Sequence, residues 1–151
     1  MSLRARFMED LKAAMKAGQS AQVATLRMVN AKLKDVDIAA RARSAEVSED
    51  EIVSMLRGMI KSRAESATMY HQGGRPELAE KEEAEIATIR AYLPAELDAA
   101  TLEAAAREAI AELGANSMKD MGKVMAALKT RFGAALDAGQ ASALVKSLLS
   151  A

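Results

Sequence analysis

The chain has 151 residues and balances 21 basic against 21 acidic side chains, so it is no polycation. It contains no cysteine, one histidine and, with two Tyr, two Phe and no Trp, very few aromatics. That composition excludes disulfides, a thiolate nucleophile and a cysteine-based zinc site, and it leaves a thin core of Leu, Ile, Val and Met that close-packed helices suit best.

The first segment places Leu3, Phe7, Leu11, Ala14 and Met15 at helical spacing, and Gly18 closes it. A second runs through "SAQVATLRMVNAKLKDVDIAARA", with Val23, Leu26, Val29, Leu33, Val36 and Ala40 on one stripe. Spacings of three and four are those of an antiparallel helical hairpin or coiled coil. Ser48 followed by Glu51 is a capping box, opening a third helix marked by Ile52, Leu56, Met59, Ile60 and Ala67. Pro76 then opens a fourth, at a first-turn position where its missing N–H costs little. Its stripe is Leu78, Glu82, Ile86, Ile89 and Leu93.

"YLPAEL", residues 92–97, is the best internal boundary, because a residue before proline is pushed out of the helical region. The fourth helix should therefore end near Tyr92. Beyond it, Asp98 caps a helix with Leu102, Ala106, Ala109, Ile110 and Leu113 inward, stopped by Gly114. Asn116 or Ser117 caps the next, with Met121, Val124, Met125, Leu128 and Phe132 inward. Asp137 and Gln140 form a second capping-box pattern before Ala141, Leu144, Val145 and Leu148. No alternating strand pattern occurs. The expected fold is all-α: an N-terminal four-helix part made of helical hairpins, residues 1–93, and a compact three-helix domain, residues 94–151.

No apolar run approaches the roughly 18 residues of a membrane span, and the opening residues mix charge with apolar side chains, unlike a signal peptide. The expectation is a soluble cytoplasmic protein with no membrane partner and no DNA partner. Charge is unevenly distributed. Residues 94–112 carry five acidic residues and one basic, Arg107, whereas residues 113–151 carry five basic and two acidic. Those five, Lys119, Lys123, Lys129, Arg131 and Lys146, are a candidate anion-contact surface.

Catalytic constellations fail on inspection. Gly122-Lys123 has Ser117 where a phosphate loop needs glycine and Val124 where it needs Ser or Thr. A single histidine, His71, makes neither a multi-histidine metal site nor a convincing triad. Its position before Gly73-Gly74 suggests a helix-end residue meeting the last carbonyls. The acids of "ELAEKEEAEI" lack the Glu-x-x-His partners of a carboxylate metal site and read as a solvated, salt-bridged face. No cofactor and no metal are expected. Ten methionines suggest a pliable binding groove, but filling a thin core is the plainer account. Arg27, Lys34 and Arg41, at spacings of seven, form a secondary basic face of the second helix, with Arg57, Lys61 and Arg63 on the third. Interleaved Asp35, Asp37 and Glu65 dilute them as a phosphate track.

Within "KDMGKVMAALK", residues 119–129, a glycine falls in a stretch that reads as helix interior, where it costs roughly 1 kcal/mol relative to alanine. Either a neighbouring helix packs closely on Gly122, or a ligand backbone such as RNA approaches it beside Lys119 and Lys123.

"LRMVNAKLKD", "GGRPELAEKEEAEIATIRAYLP", "LGANSMKDMGKVMAALK" and "ASALVKSLL" together resemble the GatB/YqeY family, over nearly the whole chain. "YLP" and "DMGKVM" are the most specific parts. Members of that family look like a free-standing version of the tail of the B subunit of aspartyl/glutamyl-tRNA amidotransferase, a helical domain that contacts tRNA while amide transfer occurs elsewhere. The resemblance implies the same two-part helical fold. It also implies that Asp120, Met121, Gly122 and Lys123 form the family's signature turn of helix, with Lys119, Lys123 and Lys129 the better candidates for tRNA contact. "RFGAALDAGQAS" departs from the family's usual glycine-rich stretch but keeps Asp137 as a cap. Three functions are compatible with these residues. One is a non-catalytic tRNA-binding or tRNA-enzyme accessory module, whose protein partner would be a tRNA-charging or amidotransferase enzyme. Another, suggested by the family relation, is a component of a carbon–nitrogen ligase with glutamine as amido-N-donor. The third is a protein–protein adaptor built on the long N-terminal helices, without RNA. The chain shows no glutaminase nucleophile and no ATP loop, which weighs against autonomous catalysis.

Overall fold

The computed structural model describes residues 1–94 and 97–150, apart from the side chain of Ala134; Ala95 and Glu96 of the expected boundary lie outside the described residues. Among the described residues the protein is all-α, with seven α-helices and no strand. It falls into two compact units, Met1–Leu93 and Pro94–Ala151.

The first unit holds α1 (Leu3–Lys16), α2 (Ser20–Ala42), α3 (Glu49–Gln72) and α4 (Pro76–Arg90). Helix starts are set by side-chain caps: Ser2 Oγ accepts from the Ala5 N–H at 3.2 Å and Ser48 Oγ from the Glu51 N–H at 3.1 Å. The reciprocal half of the Ser48 box is not formed, because the Glu51 carboxylate pairs with Arg43 at 3.3 Å instead. Phe7, Leu26, Val29, Ile52, Leu56 and Ile89 are sealed from solvent and tie the four helices together. The α4 helix ends at Arg90, so Tyr92 lies in the turn beyond it. There its ring meets Phe7 edge-on at 4.9 Å, and its hydroxyl donates to Asp10. Burial, then the neighbouring Asp10 carboxylate, pushes the Tyr92 phenol well above its usual range.

Two expectations about the core are corrected here. Met15, expected inward, is 54% exposed. Leu3, Phe7 and Ala14 define the buried side of α1, and Met15 sits about 100° further round the helix. Nor do the methionines chiefly fill the core. Met55 and Met59 are buried and Met121 and Met125 half-buried, but Met1, Met8, Met15, Met28, Met69 and Met118 are exposed.

In the second unit, α5 (Ala99–Leu113), α6 (Met121–Phe132) and α7 (Ala138–Ser150) enclose Leu102, Ala106, Val124, Leu128, Leu136 and Val145. Asp98 Oδ1 accepts from the Thr101 N–H at 2.7 Å and starts α5. Gly114 stops it in the left-handed conformation (φ 63°), which glycine adopts without the Cβ clash of other residues. Leu113, expected inward, is corrected: it is 47% exposed, because the last turn of α5 passes beyond the core. Asp137 Oδ1 accepts from the backbone N–H groups of Gly139 (3.0 Å) and Gln140 (3.2 Å), so it caps α7.

Candidate nucleic-acid interface

The approach to α6 is not the continuous helix that its sequence suggests. A 3-10 turn, Met118–Asp120, precedes it, and α6 proper starts at Met121. Neither Asn116 nor Ser117 supplies a side-chain cap, a further correction to the sequence reading. Instead the Asp120 carboxylate folds back to accept the Asn116 N–H at 3.2 Å, closing the loop that enters the helix. Asp120 therefore shapes the turn, Met121 packs against the core cluster, and Gly122 and Lys123 face solvent.

This geometry corrects the premise about Gly122. It is the second residue of α6, not an interior one, and its φ lies outside the left-handed region. A Cβ built there meets no atom within 4 Å. The protein's own packing thus gives no reason for glycine at this position.

Val124 and Leu128 fix the buried side of α6. The opposite side carries Gly122, Ala126 and Thr130, four residues apart and all exposed. Lys123 and Lys129 lie on either side of this small row, about 120° apart by helix rotation. Ala126 and Thr130 escape a sequence search because neither is charged; their spacing of four from Gly122 is the signal that would have found them. Lys119 sits in the 3-10 turn at the head of the row. Lys146 belongs to α7, one helical turn before Ser150, whose hydroxyl lies 3.7 Å from the Met118 sulfur. It is therefore brought toward the Lys119 end. Among the described residues, Lys119, Lys123, Lys129 and Lys146 enter no ion pair. Arg131 differs: its guanidinium binds Glu108 at 2.9 Å and lies over the Phe132 ring at 5.2 Å.

The secondary basic face is real as a row but belongs to the other unit: Arg27, Lys34 and Arg41 are all exposed on α2. Arg63, grouped by sequence with the third-helix basics, is engaged. It binds Glu85 at 2.9 Å and the Met59 carbonyl at 3.2 Å in a half-buried setting. His71 meets Glu83 of α4 at 2.9 Å rather than the last carbonyls of α3. The acids of α4 are thus partly consumed in ion pairs, Glu77 with Arg75, Glu83 with His71 and Glu85 with Arg63. Among the described residues no group of three or more His, Cys, Asp or Glu is placed to hold a metal ion. No helix among them is long and apolar enough to cross a membrane.

The class of protein is an all-α module of two compact units, and among its described residues a set of unpaired lysines surrounds a row of small residues. Residues 4–149 match the YqeY-like protein family, and the chain belongs to that family. It is also similar to Uncharacterized protein C22F3.15 of Schizosaccharomyces pombe, at 28% identity over 93 residues, covering 62% of this chain and 73% of that protein.

Proposed function

We propose that the chain is a non-catalytic tRNA-binding or tRNA-enzyme accessory module whose second unit contacts RNA phosphates through the outer face of α6. The observation that carries this reading is the lysine-flanked row Gly122–Ala126–Thr130. A phosphate backbone needs close approach and cationic partners, and this row supplies a low floor with Lys119, Lys123 and Lys129 around it. The resemblance to an amidotransferase tail supports the same assignment. Arg131, paired with Glu108 at an exposed site, is the less available of the basic residues of this unit and is left out of the proposed contact set.

The test is titration of labelled total tRNA with wild-type protein and a Lys119→Ala/Lys123→Ala double variant at several salt concentrations. Binding that weakens with salt, and a variant whose log–log salt slope is shallower by about 2, is the expected result. Absence of binding at low salt, or a double variant with an unchanged slope, refutes the reading.

A further inference from the structure

We propose that the outer seam of the α1–α2 hairpin docks one acidic, amphipathic α-helix of a partner protein. This goes beyond the RNA reading and uses a different unit of the chain.

The seam is built from two rows. On α1, Met8, Leu11 and Met15 follow the i, i+3, i+7 spacing of helix-docking anchors. Met8 is 52% and Met15 54% exposed, and Leu11 is half-buried, so these apolar side chains are left without a full complement of neighbours. On α2 run the cations Arg27 and Lys34, both exposed and in no ion pair among the described residues. The register between the rows is pinned at both ends. Arg4 binds Asp37 through both oxygens at one end. At the other, Met15, Val23 and Arg27 line one open pocket of 340 Å³. These two pins set Lys34 beside Met8 just as Arg27 lies beside Met15. On the far flank of the methionine row stand Lys12 and Lys16, also exposed and outside any ion pair among the described residues.

An apolar seam between two cationic flanks has one complementary shape: a helix with a narrow apolar stripe bordered by carboxylates. Successive cations on α2 are seven residues apart, about 10.5 Å along the axis, which is the heptad repeat of such a partner. The pocket beside Met15 accommodates one large apolar anchor of that helix. Methionines, flexible and polarizable, suit a surface that must adapt to its partner. RNA gains nothing from an apolar row, and its phosphates are more closely spaced than these cations. A bilayer would have to bury the Arg4–Asp37 pair at the same surface.

The test uses the full chain and a fluorescein-labelled three-heptad peptide with Leu at the a and d positions and Glu beside them. A scrambled peptide of the same composition and a version with Lys in place of Glu serve as controls, read by anisotropy. The Glu peptide should bind at least about tenfold more tightly than its scramble, a difference that the buried apolar stripe supplies. Met8→Gln/Met15→Gln should remove that preference without changing the circular dichroism spectrum. Arg27→Glu/Lys34→Glu should lose the Glu peptide and gain the Lys peptide. Equal binding of the scramble, or a charge-reversed variant with unchanged preference, overturns the proposal. So does a result in which phosphatidylserine vesicles or tRNA, but not the Glu peptide, bind in a manner abolished by Met8→Gln/Met15→Gln, since the seam would then belong to lipid or RNA.

Discussion

Gly122→Ala separates what the fold needs from what a ligand needs. In a helix interior the substitution would recover roughly 1 kcal/mol of helix propensity. At the second residue of α6, where the backbone N–H has no intrahelical partner anyway, the gain is smaller. Restriction of the unfolded chain adds to it, so about 0.4–1 kcal/mol is expected in total. Nothing opposes it, because the added methyl meets no atom within 4 Å. For a unit of this size, that corresponds to a rise of a few degrees in the midpoint of thermal unfolding. A glycine kept for close helix packing would behave in the opposite sense, losing about 1–3 kcal/mol to overpacking. The same methyl, however, stands on the exposed row between Lys119 and Lys123, where it holds an approaching phosphate backbone away. The tRNA dissociation constant should therefore rise about fivefold, equivalent to about 1 kcal/mol. Thermal unfolding and tRNA titration of the same preparation decide the matter. A destabilised variant refutes the geometry of α6; a stabilised variant with unchanged tRNA affinity refutes close approach at Gly122.

Glu85→Ala should destabilise the first unit by about 1–3 kcal/mol, because it leaves the Arg63 guanidinium half-buried with only the Met59 carbonyl and the weakly accepting Met28 sulfur as partners. Arg63→Met/Glu85→Leu should recover most of that loss in urea unfolding, and a single-variant cost within the scatter of exposed ion pairs would show the site to be open to water. The Asp98 carboxyl should titrate below the ordinary aspartate range, first because it accepts the Thr101 N–H and then because it binds the Thr101 hydroxyl. With the folded value depressed, its contribution to stability is present above the unfolded value and lost as pH falls through the folded one. Following the Thr101 amide resonance with pH checks this: a midpoint at or above the usual aspartate value removes the cap from the account of how α5 begins.

The helices were readable because their determinants are local. Ser48, Pro76, Asp98, Gly114 and Asp137 act within one turn of where they stand, and each marks an α-helix end in the structure. The second-helix stripe was readable for a related reason. Leu26, Val29, Leu33 and Ala40 recur at helical spacing on a face that the helix buries along most of its length. What the sequence could not reveal depends on partners distant along the chain. That Glu51 turns to Arg43 rather than to its own cap, that His71 meets Glu83, and that Arg63 is taken by Glu85 all follow from which helices lie side by side. Asp120 is an intermediate case. Its bond to Asn116 spans four residues, but a carboxylate that closes a loop and one that caps a helix look alike in sequence.

The same distinction separates basic residues that charge counting alone groups together. Arg131 and Lys129 are two positions apart, yet one is neutralised by Glu108 and stacked on Phe132 while the other stands free on the outer face of α6. An arginine already paired with a carboxylate adds less to a phosphate surface than a free one, because a ligand must compete with that partner, by a small margin where, as here, the pair is exposed. Unpaired lysines with long, mobile stems pay no such cost and release counterions in full when they meet phosphate. A usable cationic surface is therefore defined by which charges the fold leaves unpaired. In the second unit those are Lys119, Lys123, Lys129 and Lys146, and on the α1–α2 hairpin they include Lys12, Lys16, Arg27 and Lys34, among the described residues. The two sets differ in what lies between their charges: small residues on α6, which admit a backbone, and methionine and leucine on α1, which need an apolar partner. That difference, more than the charges themselves, is the ground on which we propose RNA for one surface and protein for the other.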